Sequence, residues 1–137
     1  MRFKGFQRFQ RFLGFLVLAS GIATPAFAHH SAAGIDRSKT VTLVGTVKQF
    51  GWQNPHSWME VDVPNEAGVV TTWKVEMTSP AFLIRAGWKA TTVKPGDKVT
   101  VKVFPLRDGD PGGLFQSVTL ADGSTLTERA GAPRSSP

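Results

Sequence analysis

Lys98-Val99-Thr100-Val101-Lys102-Val103-Phe104 sets three valines on one face of an extended chain, with lysines and threonine on the other. Side chains alternate across a β-strand, so this rhythm describes a strand with one buried and one wet side and cannot describe a helix. The same period of two returns in Thr40 to Phe50, where Val41, Leu43 and Val47 share a face with Gly45 in line. A glycine inside a strand marks a bend or a close backbone approach, as at a barrel corner. It returns again in Ser57 to Val63, where Met59, Val61 and Val63 alternate with Trp58, Glu60 and Asp62, and in Val69 to Met77, whose odd positions are the more apolar. Turn-rich stretches separate these runs: Gly51-Trp52-Gln53-Asn54-Pro55, Pro64-Asn65-Glu66-Ala67-Gly68 and Lys94-Pro95-Gly96-Asp97. A last strand is expected from Leu114 to Leu120, followed by an Asp122-Gly123 turn.

One segment reads as a helix. Ser79 suits an N-cap, Pro80 the first helical position, Ala81 to Ala86 two turns, and Gly87 a left-handed ending. Three strands, a short helix and two more strands give an all-β fold of one kind: a small five-stranded barrel like those that bind oligonucleotides and oligosaccharides (the OB-fold). A small open β-sandwich is the alternative.

Residues 1–28 are expected to be removed. Arg2, Lys4, Arg8 and Arg11 precede the apolar run Phe12 to Ala19, and the small residues Ala26 and Ala28 stand at the −3 and −1 positions of a cut before His29. This is the three-part pattern of a secretory leader, and its apolar run is short of the roughly 20 residues a membrane-spanning helix needs. The expected organisation is then a leader (1–28), an N-terminal segment (29–39), the barrel (40–126) and a disordered tail (127–137). The chain has 16 Lys and Arg against 10 acids, and the leader takes four of those bases and none of the acids, leaving 12 against 10. The basic character therefore belongs mainly to the leader and is no footprint for nucleic acid. Cys is absent, which excludes disulfides, thiol nucleophiles and thiolate metal sites. The expected setting is the periplasm or the medium, as a monomer without a membrane anchor after cleavage.

The pieces Ala28-His29-His30-Ser31, Gly45-Thr46-Val47, Asn54-Pro55-His56, Glu76 followed by Ser79-Pro80, Arg85-Ala86-Gly87-Trp88, Lys94-Pro95-Gly96-Asp97 and Val118 to Gly123 occur here in one order. In that order the chain resembles a family of small secreted bacterial proteins grouped as a domain of unknown function. It departs from their usual pattern at Ala32, where an aromatic is common, and at Ile35-Asp36, where Phe-Asp is. The resemblance implies export and fold, and carries no activity with it.

All three histidines then become candidates: His29, His30 and His56. A mature N-terminal His29 would offer its amine and imidazole to one metal, and a second histidine would complete a three-nitrogen set suited to copper. The plain alternatives are that His29 and His30 begin a frayed tail and that His56 caps a turn. If Val63 pairs with Val69 across a five-residue loop, His56 faces Glu76, Trp58 faces Lys74 and Met59 faces Trp73. Glu76 could then orient His56 or join it as a ligand, or form an ordinary ion pair. Trp58, Lys74 and Glu60 form a polar, aromatic strip on the outer face, fit for a ligand. Of Trp52, Trp58, Trp73 and Trp88, most are expected to fill the core. Asp108-Gly109-Asp110 lacks the spacing of a calcium loop, and no hydrolase or phosphate-loop motif occurs.

Three functions remain open. The first is an exported binding module for a small molecule or a periplasmic protein, with no catalysis of its own. The second is a copper or other divalent-metal protein using His29, His56 and, as further candidates, His30 and Glu76. The third is a copper-dependent oxidoreductase.

Overall fold

Six strands, one short α-helix and one 3-10 turn make up the computed structural model, which describes residues 32–129. The strands are β1 (Val41–Gly51), β2 (Trp58–Pro64), β3 (Val70–Glu76), β4 (Lys98–Pro105), β5 (Gly112–Thr119) and β6 (Thr125–Thr127). The 3-10 turn is Ala32–Gly34, and the helix α1 is Pro80–Arg85. The sheet order is β3-β2-β1-β4-β5-β6, and a parallel pairing of β3 with β5 closes the first five strands into a barrel. The expected OB-like barrel with its helix between the third and fourth strands is therefore the fold, and the open sandwich is set aside.

The barrel closes because β1 is long enough to serve two neighbours. Val41 to Thr46 pair with β4 and Thr46 to Gly51 pair with β2, with a bulge between Val47 and Gln49 that turns the strand. Gly45 sits at this bend, where a Cβ would collide with the Asp62 carbonyl of β2, so the close approach inferred from its place in the strand is present. The alternating apolar residues point inward: Leu43, Val47, Met59, Val61, Val75, Val99, Val101, Val103 and Val118 are all buried.

The helix ends as its sequence requires. Gly87 adopts a φ of 88°, and the Trp88 N–H donates to the Leu83 carbonyl at 3.0 Å, closing a left-handed C-terminal cap. That turn delivers Trp88 into the core, 2 % exposed, where its ring meets Phe115 edge-on at 5.5 Å. Ser79 has the extended backbone of an N-cap, but its side chain makes no capping hydrogen bond. Its carbonyl accepts the Phe82 and Leu83 N–H groups instead.

Two expectations are corrected. The β2–β3 hairpin is shifted: Pro64 pairs with Val70 and Val63 with Thr71, so Trp58 faces Glu76, Glu60 faces Lys74 and Met59 faces Val75. The loop still spans five residues, but it runs from Asn65 to Val69, because the Asn65 side chain accepts the Val69 N–H at 2.9 Å and Gly68 takes a φ of 79°. The shift moves each partner by two positions, so each side chain stays on the face first assigned to it. The second correction concerns the end of the barrel. Ser117, Val118 and Thr119 pair with Thr127, Leu126 and Thr125, and the Trp88 indole N–H donates to the Thr127 carbonyl at 2.9 Å. Ordered structure thus runs past position 126.

Candidate functional site

The β3–β5 junction that closes the barrel also opens a cleft. Gly112 and Gly113 pair with Lys74 and Val75; a Cβ would strike the Phe104 carbonyl at Gly113 and press on the tip of the Leu106 side chain at Gly112. Beside them lies a cleft of about 830 Å³, within the usual range for a small-molecule site. Ile35, Leu106, Pro55 and Pro111 give it apolar walls, and Gln53, His56, Ser57, Trp58, Lys74, Glu76 and Asp110 supply polar and aromatic groups. Ile35 is held there by an antiparallel bridge to Leu106.

The His56–Glu76 pairing inferred from the sequence is present by a different route. His56 lies ahead of β2, in a stretch containing a cis Asn54–Pro55 bond, and its Nδ1 reaches Glu76 Oε1 at 2.5 Å. The carboxylate makes Nδ1 the donor and leaves Nε2 as the ring's other polar atom. Lys74 Nζ stands 5.8 Å over the Trp58 ring, a diagonal contact across the strands where a direct pair was expected. That indole also lies against Gly51, where a Cβ would overlap the ring. Gly51 therefore sets where Trp58 rests. Glu60 shares the outer face and pairs with Lys74 and Gln49, but it does not line the cleft.

Two features escaped the sequence reading. Ser57 is wholly buried in the cleft wall, and its hydroxyl has no hydrogen-bond partner among the described residues. Its backbone is fully used, donating to the Thr78 carbonyl and accepting from the Met77 N–H. A buried hydroxyl left in this way costs about 1–3 kcal/mol. The second is Glu128, whose Oε1 accepts the Thr78 N–H at 2.6 Å. Burial raises its pKa above the usual carboxylate value, with the Thr78 N–H and His56 opposing and Glu76 adding to the rise. It follows directly after β6, 52 positions along from Glu76, and no local motif announces it.

A shallower depression of about 330 Å³ lies elsewhere, lined by Val44, Thr46, Thr100 and Leu120 among others. Its one charged residue, Lys98, donates to the Thr46 hydroxyl at 2.7 Å, so it gathers no acid–base chemistry. Asp108 accepts the Asp110 N–H at 3.0 Å in an ordinary turn, with Gly109 at a φ of 86°. Among the described residues no group of three or more His, Asp or Glu is placed to hold a metal ion. His29, His30 and the cleavage residues Ala26 and Ala28 lie outside the described residues.

No curated protein matches this sequence. Among solved structures the chain is similar to the mitochondrial single-stranded DNA-binding protein Rim1 of S. cerevisiae, at 14 % identity and a TM-score of 0.43, over 61 % of this chain and 94 % of that one. Residues 17–116 match the family of unknown function DUF6152, and the chain belongs to that family.

Proposed function

We propose that this is an exported, non-catalytic binding domain whose ligand is a small organic molecule held in the cleft at the β3–β5 junction. The observation that carries the reading is the cleft itself, about 830 Å³ with apolar walls and with His56, Glu76, Lys74 and Trp58 in its lining. Binding is favoured over turnover because a serine nucleophile needs a base within hydrogen-bond reach, and Ser57 Oγ has none among the described residues. Export rests on the leader pattern of residues 1–28.

The reading is tested by amide NMR spectra of the chain from His29 onward, recorded with cocktails of small polar and aromatic compounds. Saturable shifts gathered at Ser57, Lys74, Gly112 and Gly113 support it. Shifts confined to other surfaces, or none across a broad set, overturn it.

A second reading, copper binding, is favoured by one observation: Ile35 lines the same cleft as His56. Ile35 lies six positions after His29, so the chain between them spans at most about 22 Å. In this reading an amine and imidazole at His29 would join His56 Nε2, which Glu76 would orient. Cu(II) titration of protein beginning at His29, beside protein with one extra residue ahead of it, decides the matter. Much weaker binding by the extended form supports the chelate, and equal affinities remove it.

A further inference from the structure

The outer face of the sheet breaks the alternation that the interior keeps. Outward positions of a strand with one wet side are expected to be polar, yet Val44 on β1 and Val70 on β3 are 65 % and 55 % exposed. Pro64 pairs with Val70 and is exposed as well, and Val44 and Pro64 border the same depression of about 330 Å³. From Val44 the row continues onto β4 as its pair partner Thr100, and onto β5 as Thr119, the partner of Thr100. An uncharged band therefore crosses the outside of the barrel.

The next row along the strands is charged. Thr46 is paired on one side with Asp62 of β2 and on the other with Lys98 of β4. Neighbouring strands lie about 4.8 Å apart, so an acid and a base flank β1 at like distances. Lys98 Nζ donates to the Thr46 hydroxyl at 2.7 Å, and the Thr72 hydroxyl donates to Asp62 at 2.6 Å, which keeps both charged side chains on the outer face. Lys48 ends the row on the β3 side, donating to the Thr72 hydroxyl at 3.4 Å. A two-fold axis laid along β1 in the plane of contact exchanges the two flanks of that strand. It sets Lys98 of each copy over Asp62 of the other and Val44 over Val44. An axis across the strands would set Lys98 over Lys98 and Asp62 over Asp62. The face is complementary to itself in one orientation and repulsive in the other.

We propose that this face is a contact between two copies of the chain, packed sheet on sheet about an axis along β1, in place of the monomer expected from the sequence. The uncharged band forms the dry centre and the two Asp62–Lys98 pairs the polar edge. The band is short, so association is of the weak, concentration-dependent kind. None of these residues lines the cleft at the β3–β5 junction, so the contact and the binding reading stand or fall separately.

Sedimentation velocity of the chain from His29 onward, run from micromolar to millimolar concentration, should show monomer giving way to dimer. Lys98→Asp should weaken association at least tenfold by setting acid against acid, and Asp62→Lys added to it should restore the dimer. The chain has no cysteine of its own, so Val44→Cys tests the axis directly: mild oxidation should join two copies through position 44. Val70→Cys lies two strands from the axis and should cross-link at least tenfold more slowly. Positions 44, 70 and 98 are exposed, so these variants are expected to fold, and unchanged melting temperatures verify this. Monomer at every concentration overturns the proposal. So does a dimer that Lys98→Asp leaves intact, or one that links through position 70 as fast as through position 44.

Discussion

The barrel interior and the cleft at the β3–β5 junction are built from the same strands by opposite rules. In the interior Met59, Val61, Val75, Val101 and Val103 are completely buried, and every one is apolar. In the cleft, beside the same strands, a histidine, a lysine and two carboxylates line the walls, and Ser57 keeps a buried hydroxyl with no partner among the described residues. The interior maximises packing and gains stability from it. The cleft forgoes that gain, and residues that do not serve the fold are the ones expected to serve a ligand.

The contrast is sharpest if substitutions on the two sides have opposite signs. Trp88→Ala should have the largest effect, lowering stability by about 3–5 kcal/mol in denaturant melts, because it empties the core beside Phe115 and removes the indole bond that holds Thr127. A loss below about 1 kcal/mol would mean that the core is not organised around this ring. Gly113→Val comes next, with an expected cost of about 1–3 kcal/mol from overpacking, since its Cβ meets the Phe104 carbonyl of β4 on the strand that also pairs with β3 to close the barrel. Ser57→Ala should act in the other direction, raising stability by about 1 kcal/mol by removing a buried, unpaired hydroxyl. A destabilised Ser57→Ala would place this residue with the interior and weaken the division.

The smallest expected effect is pH-dependent. Burial raises the pKa of Glu128 in the folded chain, so the folded state holds that proton more tightly than the unfolded state does. Stability is therefore undiminished below the ordinary glutamate range and falls as pH rises through it to the folded value. Glu128→Gln should raise the melting temperature slightly at neutral pH, and the difference should vanish in acid. An advantage that grew on acidification would contradict the assignment.

The fold was legible from the strands because alternation survives small errors in register. The hairpin prediction was displaced by two positions between partners, yet Trp58, Lys74 and Glu76 kept their face, since side chains repeat every second residue. What misplaced the register was the Asn65 side chain accepting the Val69 N–H, a local bond that the run of turn residues does not specify. The His56–Glu76 contact was anticipated as a strand pair and arises from a loop reaching back to β3. The rest of the site was hidden because it depends on distant segments. Ile35 and Leu106 are joined by a bridge between positions far apart in the chain, Gly112 and Gly113 meet β3 only when the barrel closes, and Glu128 comes in just after β6. The burial of Ser57 follows from that closure and leaves no trace in its neighbours' identities.

The most direct measurement is a crystal structure of the chain from His29 onward, grown with a compound that gives saturable amide shifts at the cleft. Ligand density between Trp58, Leu106 and the Gly112–Gly113 backbone is predicted. Density in the depression between Val44, Thr100 and Leu120, with the cleft at the β3–β5 junction left empty, would contradict the account.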